Sequence, residues 1–352
     1  PLLAFALYWM CLPYGYVLDD QIVITDNKFT QKGVDGIWEI LSTESFTGYF
    51  GGQKDLVAGA RYRPLSIVTF AVEQTVFGDN TFIRHFINIL LYGLCGLLIF
   101  RIFSILLPEK QNTPNIKGRD EIMTTIGAMG ALYFALRFLP TRNQWYLVAS
   151  GIAMFLGLMS KENAITFLAV IPLTMYFFTN ANTRDYLLVL VPSLIATILY
   201  MVIRTNIIGY VLNSGKAITD LMNDPFLEMN GMEKLATIIY TLGEYLRLMV
   251  FPHPLTHDYY PYHIPIMNFG KPGTLISLAL YLGLAYAFFR LWKSKSIYAW
   301  SIGFFIATLS IVSNLVFPVG SFMNERFIFI PSIAFSLVSA WVLIRHGWNS
   351  EK

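Results

Sequence analysis

Two adjacent carboxylates, Asp19 and Asp20, stand at the end of the first apolar run, in the stretch YVLDDQIVITDN. A carboxylate at the mouth of a membrane cavity can act as a general base toward a hydroxyl group. A carboxylate pair can also hold a divalent metal ion. The alternative interpretation is a solvated helix end, because Asp is common in turns. The pair is therefore the first candidate for catalysis, with metal binding left open.

Short polar islands between the apolar runs carry basic residues that could bind a lipid phosphate. They are Lys117, Arg119, Lys161 and Arg326. Charges near membrane depth are costly and are therefore functional candidates. Arg offers a phosphate two parallel hydrogen bonds, and Lys offers a point charge. The alternative is that these cations pair with a neighbouring carboxylate. The neighbouring pairs are Lys161 with Glu162 and Arg326 with Glu325.

Other polar and aromatic loop residues are candidates for sugar or acceptor binding, or for a supporting role. They are Arg63, Glu121, Glu162, His257, Asp258, Tyr259 and Glu325. The aromatic rings of PHPLTHDYYPY suit an interfacial belt or a sugar-stacking surface. His257 and Asp258 could bind a metal, but one neighbouring pair favours structural use instead. Arg63, in RYRP, either orients an amphipathic helix or contacts an acceptor.

Several other chemistries lack their motifs. The sequence contains no P-loop, HExxH, GxSxG or CxxC pattern, and these mark nucleotide, zinc, serine-hydrolase and thiol sites. A net charge of +3 is too small to predict nucleic-acid binding. Cys11 and Cys95 lie inside apolar runs, where they act as small hydrophobes rather than as a disulfide or a metal pair.

Membrane-spanning helices must position these residues. The chain is 55% hydrophobic and 13% charged, whereas about a quarter of the residues of a soluble domain are charged. The apolar runs are long enough to cross the hydrocarbon core, and they lack the alternation of a barrel strand. We predict an all-α integral membrane protein of about nine to eleven spans. The apolar runs are Leu2–Val17, Phe82–Leu107, Ile122–Phe138, Trp145–Met159, Ala164–Phe178, Tyr186–Ile203, Thr274–Leu291, Ile297–Val316 and Phe327–Ile344.

The positive-inside rule orients these spans. The basic residues placed in the cytoplasm are Arg137, Arg142, Arg184, Arg290, Lys293, Lys295, Arg345 and His346. The loops at about residues 19–80 and 205–273 then face outward. The connection before Ile122 does not fit this alternation. Either one of the orientations is wrong, or a span is missing from this sequence between about Lys110 and Asn115, and we favour the missing span. We treat residues 1–352 as one membrane domain.

The stretch Met232–Phe251 is long enough to cross the membrane, but charged residues interrupt it. If it crossed, Lys293 and Lys295 would lie outside. We therefore predict an interfacial or re-entrant helix there, since its apolar residues recur at helical spacing. A second interfacial helix is predicted near Gly36–Leu41.

Several stretches together resemble the membrane domain of the transmembrane-and-TPR-repeat (TMTC-like) protein O-mannosyltransferases and their bacterial relatives, which belong to the GT-C superfamily of membrane glycosyltransferases. These stretches are YVLDDQIVITDN, YRPLSIVTFAVEQTVFGDNTFIRHFINILLY, NIKGRDE, SKENAITF, LGEYLRLMVFPHPLTHDYYPYHIP and NERFIFIPSIAF. The resemblance runs from about Tyr16 to Phe335. PEKQNTP replaces a His-Pro-x-His-Thr-Glu-like segment of the relatives, and their C-terminal TPR repeats are not found here.

The resemblance implies a GT-C-like helical bundle and inverting transfer of a sugar, typically mannose. The donor would be a polyprenyl-phosphate sugar, and the acceptor a protein Ser or Thr hydroxyl on the extracytoplasmic face. By analogy, Asp19 or Asp20 would be the base, and Lys117, Arg119, Lys161 and Arg326 would stabilise the departing phosphate. A divalent metal stays an open possibility.

Two other functions fit the sequence less well. One is a transporter or flippase of lipid-linked sugar, which the absence of an inverted repeat disfavours. The other is a catalytically inactive GT-C-like subunit of a membrane complex. A bacterial inner membrane with the site facing the periplasm is favoured by the short connecting loops. The endoplasmic reticulum membrane, with the site facing the lumen, is the alternative.

Overall fold

The structure is a computed structural model, and it describes residues 8–17, 20–53, 61–106, 119–210, 221, 223–254, 256, 259, 263–316 and 318–347. These residues fold as helices and connecting turns, and none of them lies in a strand. The prediction of an all-α membrane protein is therefore confirmed. The position of the predicted missing span, between about residues 110 and 115, lies outside the described residues.

The chain packs into two compact units. Unit 1 comprises Pro1–Ile165 and Thr183–Lys216, and unit 2 comprises Thr166–Asn182 and Ala217–Lys352. The single membrane domain expected from the sequence stays a prediction, because a division by contacts does not decide whether the units fold or act separately.

Unit 1 contains eight described α-helices. They are α1 Lys28–Gln31, α2 Ile37–Ser42, α3 Thr47–Phe50, α4 Pro64–Phe77, α5 Thr81–Leu106, α6 Arg119–Thr141, α7 Trp145–Ser160 and α9 Thr183–Ile208. A 3-10 turn covers Trp9–Cys11, and a π-helical turn covers Gln21–Thr25. The predicted span Leu2–Val17 lies partly outside the described residues.

Unit 2 contains five described α-helices. They are α8 Phe167–Phe178, α10 Gly231–Val250, α11 Pro272–Trp292, α12 Ile297–Ser310 and α13 Ser332–Gly347. The short helix near Gly36–Leu41 appears in unit 1 as α2, and the stretch predicted not to cross the membrane appears here as α10.

Four helices are long and apolar enough to cross a membrane. They are α5 (over Thr81–Ile99), α6, α9 and α11. Shorter apolar helices occupy Pro64–Phe77, Trp145–Ser160, Glu162–Phe178, Ile297–Ser310 and Ser332–Val342. The helix α10 is in neither set, because it carries four charged residues, Glu233, Lys234, Glu244 and Arg247.

Small residues bring α6 and α7 into close contact in unit 1. A Cβ atom added to Gly127 would lie 2.5 Å from the Cα atom of Gly157. The hydroxyl of Thr124 donates to the carbonyl oxygens of Gly157 and Lys161, at 2.7 and 2.9 Å. Close backbone approach and interhelical hydrogen bonds are the usual means by which membrane helices associate. They fix the start of α6 against the end of α7.

In unit 2, α10 packs along α11. The helix α10 begins with a capping box formed by Asn230 and Glu233, which satisfies two of its free N–H groups. Gly243 faces Ser277 so closely that an added Cβ would lie 1.9 Å from the Ser277 hydroxyl oxygen. The helix is therefore held along one face, as expected for an amphipathic element.

Candidate functional site

Asp20 is the described member of the acidic pair, and Asp19 lies outside the described residues. Asp20 is half-buried and stands immediately before the π-helical turn. Its Oδ2 atom accepts a hydrogen bond from the backbone N–H of Val17 at 3.0 Å. The Oδ2 atom of Asp20 thus helps to hold its loop in place, and the Oδ1 atom takes no part in that bond.

Side chains that follow in the sequence hold the turn after Asp20. Asn27, Thr30 and Gln31 donate hydrogen bonds to three successive backbone carbonyls, those of Ile22, Val23 and Ile24 respectively. The distances are 3.2, 2.8 and 2.9 Å. Backbone groups that a π-helical turn leaves without partners are therefore satisfied by side chains. These bonds hold the turn and thereby fix the position of Asp20, which immediately precedes it.

Sequence reasoning did not single out three residues that surround this loop, namely Tyr16, Asp79 and Arg84. The hydroxyl of Tyr16 donates to Asp79 Oδ1 at 2.5 Å. The guanidinium of Arg84 lies 5.8 Å from the centre of the Tyr16 ring, within the range of a cation–π contact. The two contacts attach the Asp20 loop to the start of α5. The signal in the sequence was weak, because Tyr16 and Asp79 are 63 positions apart.

Arg84 is buried, with 4% of its surface exposed. Its Nη2 atom donates to Gln74 Oε1 at 2.6 Å, whereas Nε and Nη1 are buried and have no hydrogen-bond partner among the described residues. The same is true of the Oε2 atom of Glu73. Unsatisfied buried polar atoms are uncommon and require an explanation. Two nitrogen atoms of Arg84 are therefore available as hydrogen-bond donors to an anion.

Arg119 is a predicted phosphate ligand at the first residue of α6. Its guanidinium is buried and ion-paired with Glu73. It also donates to Asn88 Oδ1 at 2.6 Å, to Thr69 Oγ1 at 3.1 Å and to the carbonyl of Arg84 at 3.2 Å. Asp20 lies within range of an electrostatic interaction with it. These bonds give Arg119 the environment of a structural cation.

Arg63 joins three segments of unit 1. Its Nε and Nη2 atoms donate to the two carboxylate oxygens of Glu162 at 3.1 and 2.6 Å. Its Nη1 atom donates to Asp120 Oδ2 at 3.3 Å. A bidentate guanidinium–carboxylate pair is strong and geometrically specific. These contacts anchor the residue that precedes α4, and both roles expected for Arg63 stay predictions.

Lys161 is 1% exposed and forms an ion pair with Glu121, on the first turn of α6. Its Nζ atom is also 4.0 Å from Asp120 Oδ2. The expected pair of Lys161 with Glu162 is not the one that forms. Lys161 has an extended backbone, and successive side chains in extended chain point to opposite sides. Glu162 therefore meets Arg63 while Lys161 meets Glu121.

Glu162 has a strongly perturbed pKa. Burial of the carboxyl raises its pKa. The charge and hydrogen bonds of Arg63 lower the pKa by more than burial raises it, and the result is a pKa of about 2. Glu162 is therefore ionised at any physiological pH and acts as a fixed counter-charge rather than as a base that takes up a proton.

In unit 2, the predicted residues Tyr259 and Glu325 lie together. The Oε1 atom of Glu325 accepts from the backbone N–H of Thr256 at 2.7 Å and from the Tyr259 hydroxyl at 3.5 Å. Burial and the nearby Glu325 carboxylate raise the pKa of Tyr259 to about 12. Arg326 is half-buried and begins a 3-10 turn with Glu325. Glu325 thus attaches the aromatic loop to the segment before α13.

The remaining predicted residues, Lys117, His257 and Asp258, lie outside the described residues. Within the described part of the chain, no three His, Cys, Asp or Glu side chains are grouped to hold a metal ion. In unit 1, the predicted site residues lie in two polar clusters, together with residues that sequence reasoning did not single out. One surrounds Asp20 and Arg84, and the other joins Arg63, Asp120, Glu121, Lys161 and Glu162.

The fold and these clusters define an all-α membrane protein with charged residues at the ends of its helices. Comparison with known proteins finds relatives that are named protein O-mannosyl-transferases. The chain is 21% identical to human protein O-mannosyl-transferase TMTC3 and 20% identical to the mouse protein, in each case over 98% of its length. It is 21% identical over 95% of its length to the Caenorhabditis elegans protein O-mannosyl-transferase F38B6.6.

The resemblance noted in the sequence is therefore confirmed as a resemblance. The chain spans 41% of the length of the mammalian relatives and 49% of the nematode protein. No protein-family model matches the chain. No solved structure matches it either.

Proposed function

We propose that the chain is an inverting glycosyltransferase. It moves a sugar, mannose in the first instance, from a polyprenyl-phosphate donor to a Ser or Thr hydroxyl of a protein on the extracytoplasmic face. Three relatives that carry the name protein O-mannosyl-transferase support the reaction class. The observation that supports the site is the position of Asp20, which a hydrogen-bonded turn holds within electrostatic range of the buried Arg119 guanidinium.

The reaction needs one base and one stabilised leaving group. The acceptor oxygen attacks the anomeric carbon while the bond from that carbon to the phosphate oxygen breaks, and the electron pair leaves with the polyprenyl phosphate. Asp19 or Asp20 takes the proton of the acceptor hydroxyl. A positioned general base contributes about 10² to 10⁴ in rate. Attack from the opposite face inverts the anomeric configuration.

Cations offset the charge that develops on the departing phosphate. Arg84 is suited to this role, because two of its donors are unsatisfied beside the Asp20 loop. Arg119 and Lys161 are bound to carboxylates, which favours a positioning role for them. Lys117 and Arg326 stay predicted phosphate ligands, and a divalent metal at the acidic pair stays a proposal.

The test uses proteoliposomes that contain the purified protein, a radiolabelled polyprenyl-phosphate mannose and a Ser/Thr-rich peptide. We expect the Asp19→Asn/Asp20→Asn double variant to lose transfer by about 10² or more, because the base is removed. The matched control is Asp35→Asn, an exposed carboxylate of the same outer loop, which should transfer at the wild-type rate.

Wild-type transfer by the double variant would overturn the assignment of the base. If neither protein transfers sugar but both retain the labelled lipid, the donor sugar or acceptor differs from the one proposed, or the chain is a subunit without catalysis. Movement of the labelled lipid across the bilayer without any acceptor would instead favour a transporter.

A further inference from the structure

A group of exposed cations lies at the end of α11, far in sequence from the site residues. Arg290 is in the last turn of the helix, and Lys293 and Lys295 follow within five positions. Because α11 is long and apolar enough to cross a membrane, its end lies at a bilayer surface. All three side chains are therefore placed where lipid headgroups are found.

No protein carboxylate neutralises these cations in their own part of the fold. None of the three forms an ion pair with a described residue. Residues 259–324, which include α11 and α12, contain no Asp or Glu, and α8 contains none. The helices α8, α11 and α12 thus contribute no negative charge near these cations.

Aromatic rings pack together at the end of α11, and one of them contacts Lys295. Tyr176 and Phe288 pack on Trp292, with ring centres 4.7 and 4.9 Å apart. The Nζ atom of Lys295 lies 5.3 Å from the centre of the Tyr176 ring. Lys295 has a positive φ of 48°, an uncommon conformation for a residue with a side chain, and the turn there brings the side chain over the ring. Aromatic residues are typical of the membrane–water interface.

We propose that Arg290, Lys293 and Lys295 bind the headgroup of an anionic phospholipid in the adjacent leaflet, with Tyr176 and Trp292 as the platform beneath it. A phosphodiester supplies the negative charge that α8, α11 and α12 lack. Basic residues next to a span are attracted to anionic lipid surfaces. The site is independent of the proposed sugar transfer, because none of its residues belongs to either polar cluster of unit 1.

The experiment measures binding of phosphatidylglycerol and phosphatidylcholine to the purified protein in neutral detergent, by native mass spectrometry. We expect wild type to prefer phosphatidylglycerol. Each neutralised cation should weaken that preference about fivefold, so Arg290→Gln/Lys293→Gln/Lys295→Gln should nearly abolish it. The control, Lys28→Gln/Lys234→Gln/Lys271→Gln, changes the net charge equally and should keep the wild-type preference.

Equal preference in wild type and in the Arg290/Lys293/Lys295 variant would overturn the proposal. So would displacement of the lipid by millimolar glycerol phosphate as readily as by lipid, because the site would then bind a free phosphate compound. If the triple variant melts at a lower temperature than wild type, the single variant Lys293→Glu tests the proposal instead. This reversal of one exposed charge should still reduce the preference for phosphatidylglycerol. An unchanged preference would refute the site.

Discussion

Individual charges in unit 1 are held by partners distant in sequence. Arg119 and Glu73 are 46 positions apart, and Arg63 and Glu162 are 99 apart. A buried ion pair adds little net stability relative to apolar residues, but removing one partner leaves a buried charge uncompensated. The buried pairs therefore determine which substitutions the unit can tolerate.

Arg119→Gln should strongly destabilise the protein. The substitution leaves Glu73, whose side chain is 6% exposed, without its counter-ion, and the expected cost is about 3–5 kcal/mol. Thermal unfolding in detergent measures it. The control is Lys32→Gln, because the Lys32–Glu39 pair is exposed and such pairs contribute about 0–1 kcal/mol. Similar melting temperatures for the two variants would contradict the prediction.

The lowered pKa of Glu162 predicts that the stability of the protein depends on pH in the acidic range. Its pKa is lowered to about 2 in the folded chain, against about 4.3 for an unperturbed Glu. The stabilisation is therefore complete above about pH 4.3 and is lost as the pH falls toward 2. Melting temperatures of wild type and Glu162→Gln should differ at neutral pH and converge near pH 2. Parallel curves across that range would argue against the Arg63–Glu162 pair.

The candidate site residues were easier to predict than the residues with which they form ion pairs. The sequence identified Arg63, Glu121, Lys161 and Glu162 as candidates because charges beside apolar runs are unusual. It could not give the pairs, because the extended backbone at Lys161 separates neighbours and the helix contacts bring distant residues together. Tyr16, Asp79 and Arg84 had no local pattern at all. The roles of the predicted site residues stay predictions.

Helices were predicted more closely, because the length of an apolar run is a direct physical requirement of the bilayer. The run Phe82–Leu107 corresponds to α5, at Thr81–Leu106, and Thr274–Leu291 corresponds to α11, at Pro272–Trp292. Polar turns were less predictable. The run Ala164–Phe178 begins with a 3-10 turn, and the α-helix starts only at Phe167.

The contact between α6 and α7 makes Gly127 a sensitive position. Gly127→Ala would place a methyl group 2.5 Å from the Cα atom of Gly157, so the helices must separate. We expect a loss of about 1–3 kcal/mol, together with reduced sugar transfer, because the start of α6 shifts against Lys161. Gly96→Ala in α5 is the control, since no atom lies within 4 Å of the added methyl. Equal stability of the two variants would refute the close contact.

For the molecule as a whole, the arrangement in the membrane is the central prediction. After replacement of Cys11 and Cys95, a single cysteine at Asp35 should react with a membrane-impermeant maleimide added from outside. A cysteine at Ser294 should react only after the membrane is permeabilised, because the positive-inside rule predicts that the neighbouring Lys293 and Lys295 lie in the cytoplasm. Outside labelling of Ser294→Cys would mean that α10 crosses the membrane after all.

The ion pairs of α6 also have a consequence for biosynthesis. Arg119 finds its counter-charge on Glu73, which the ribosome has already delivered, whereas Glu121 depends on Lys161, forty positions later in the chain. A charge in a membrane segment is costly until it is neutralised. We therefore expect insertion of α6 to be complete only once α7 has emerged, so that the segments carrying Glu73, Arg119 and Lys161 insert as one cooperative unit.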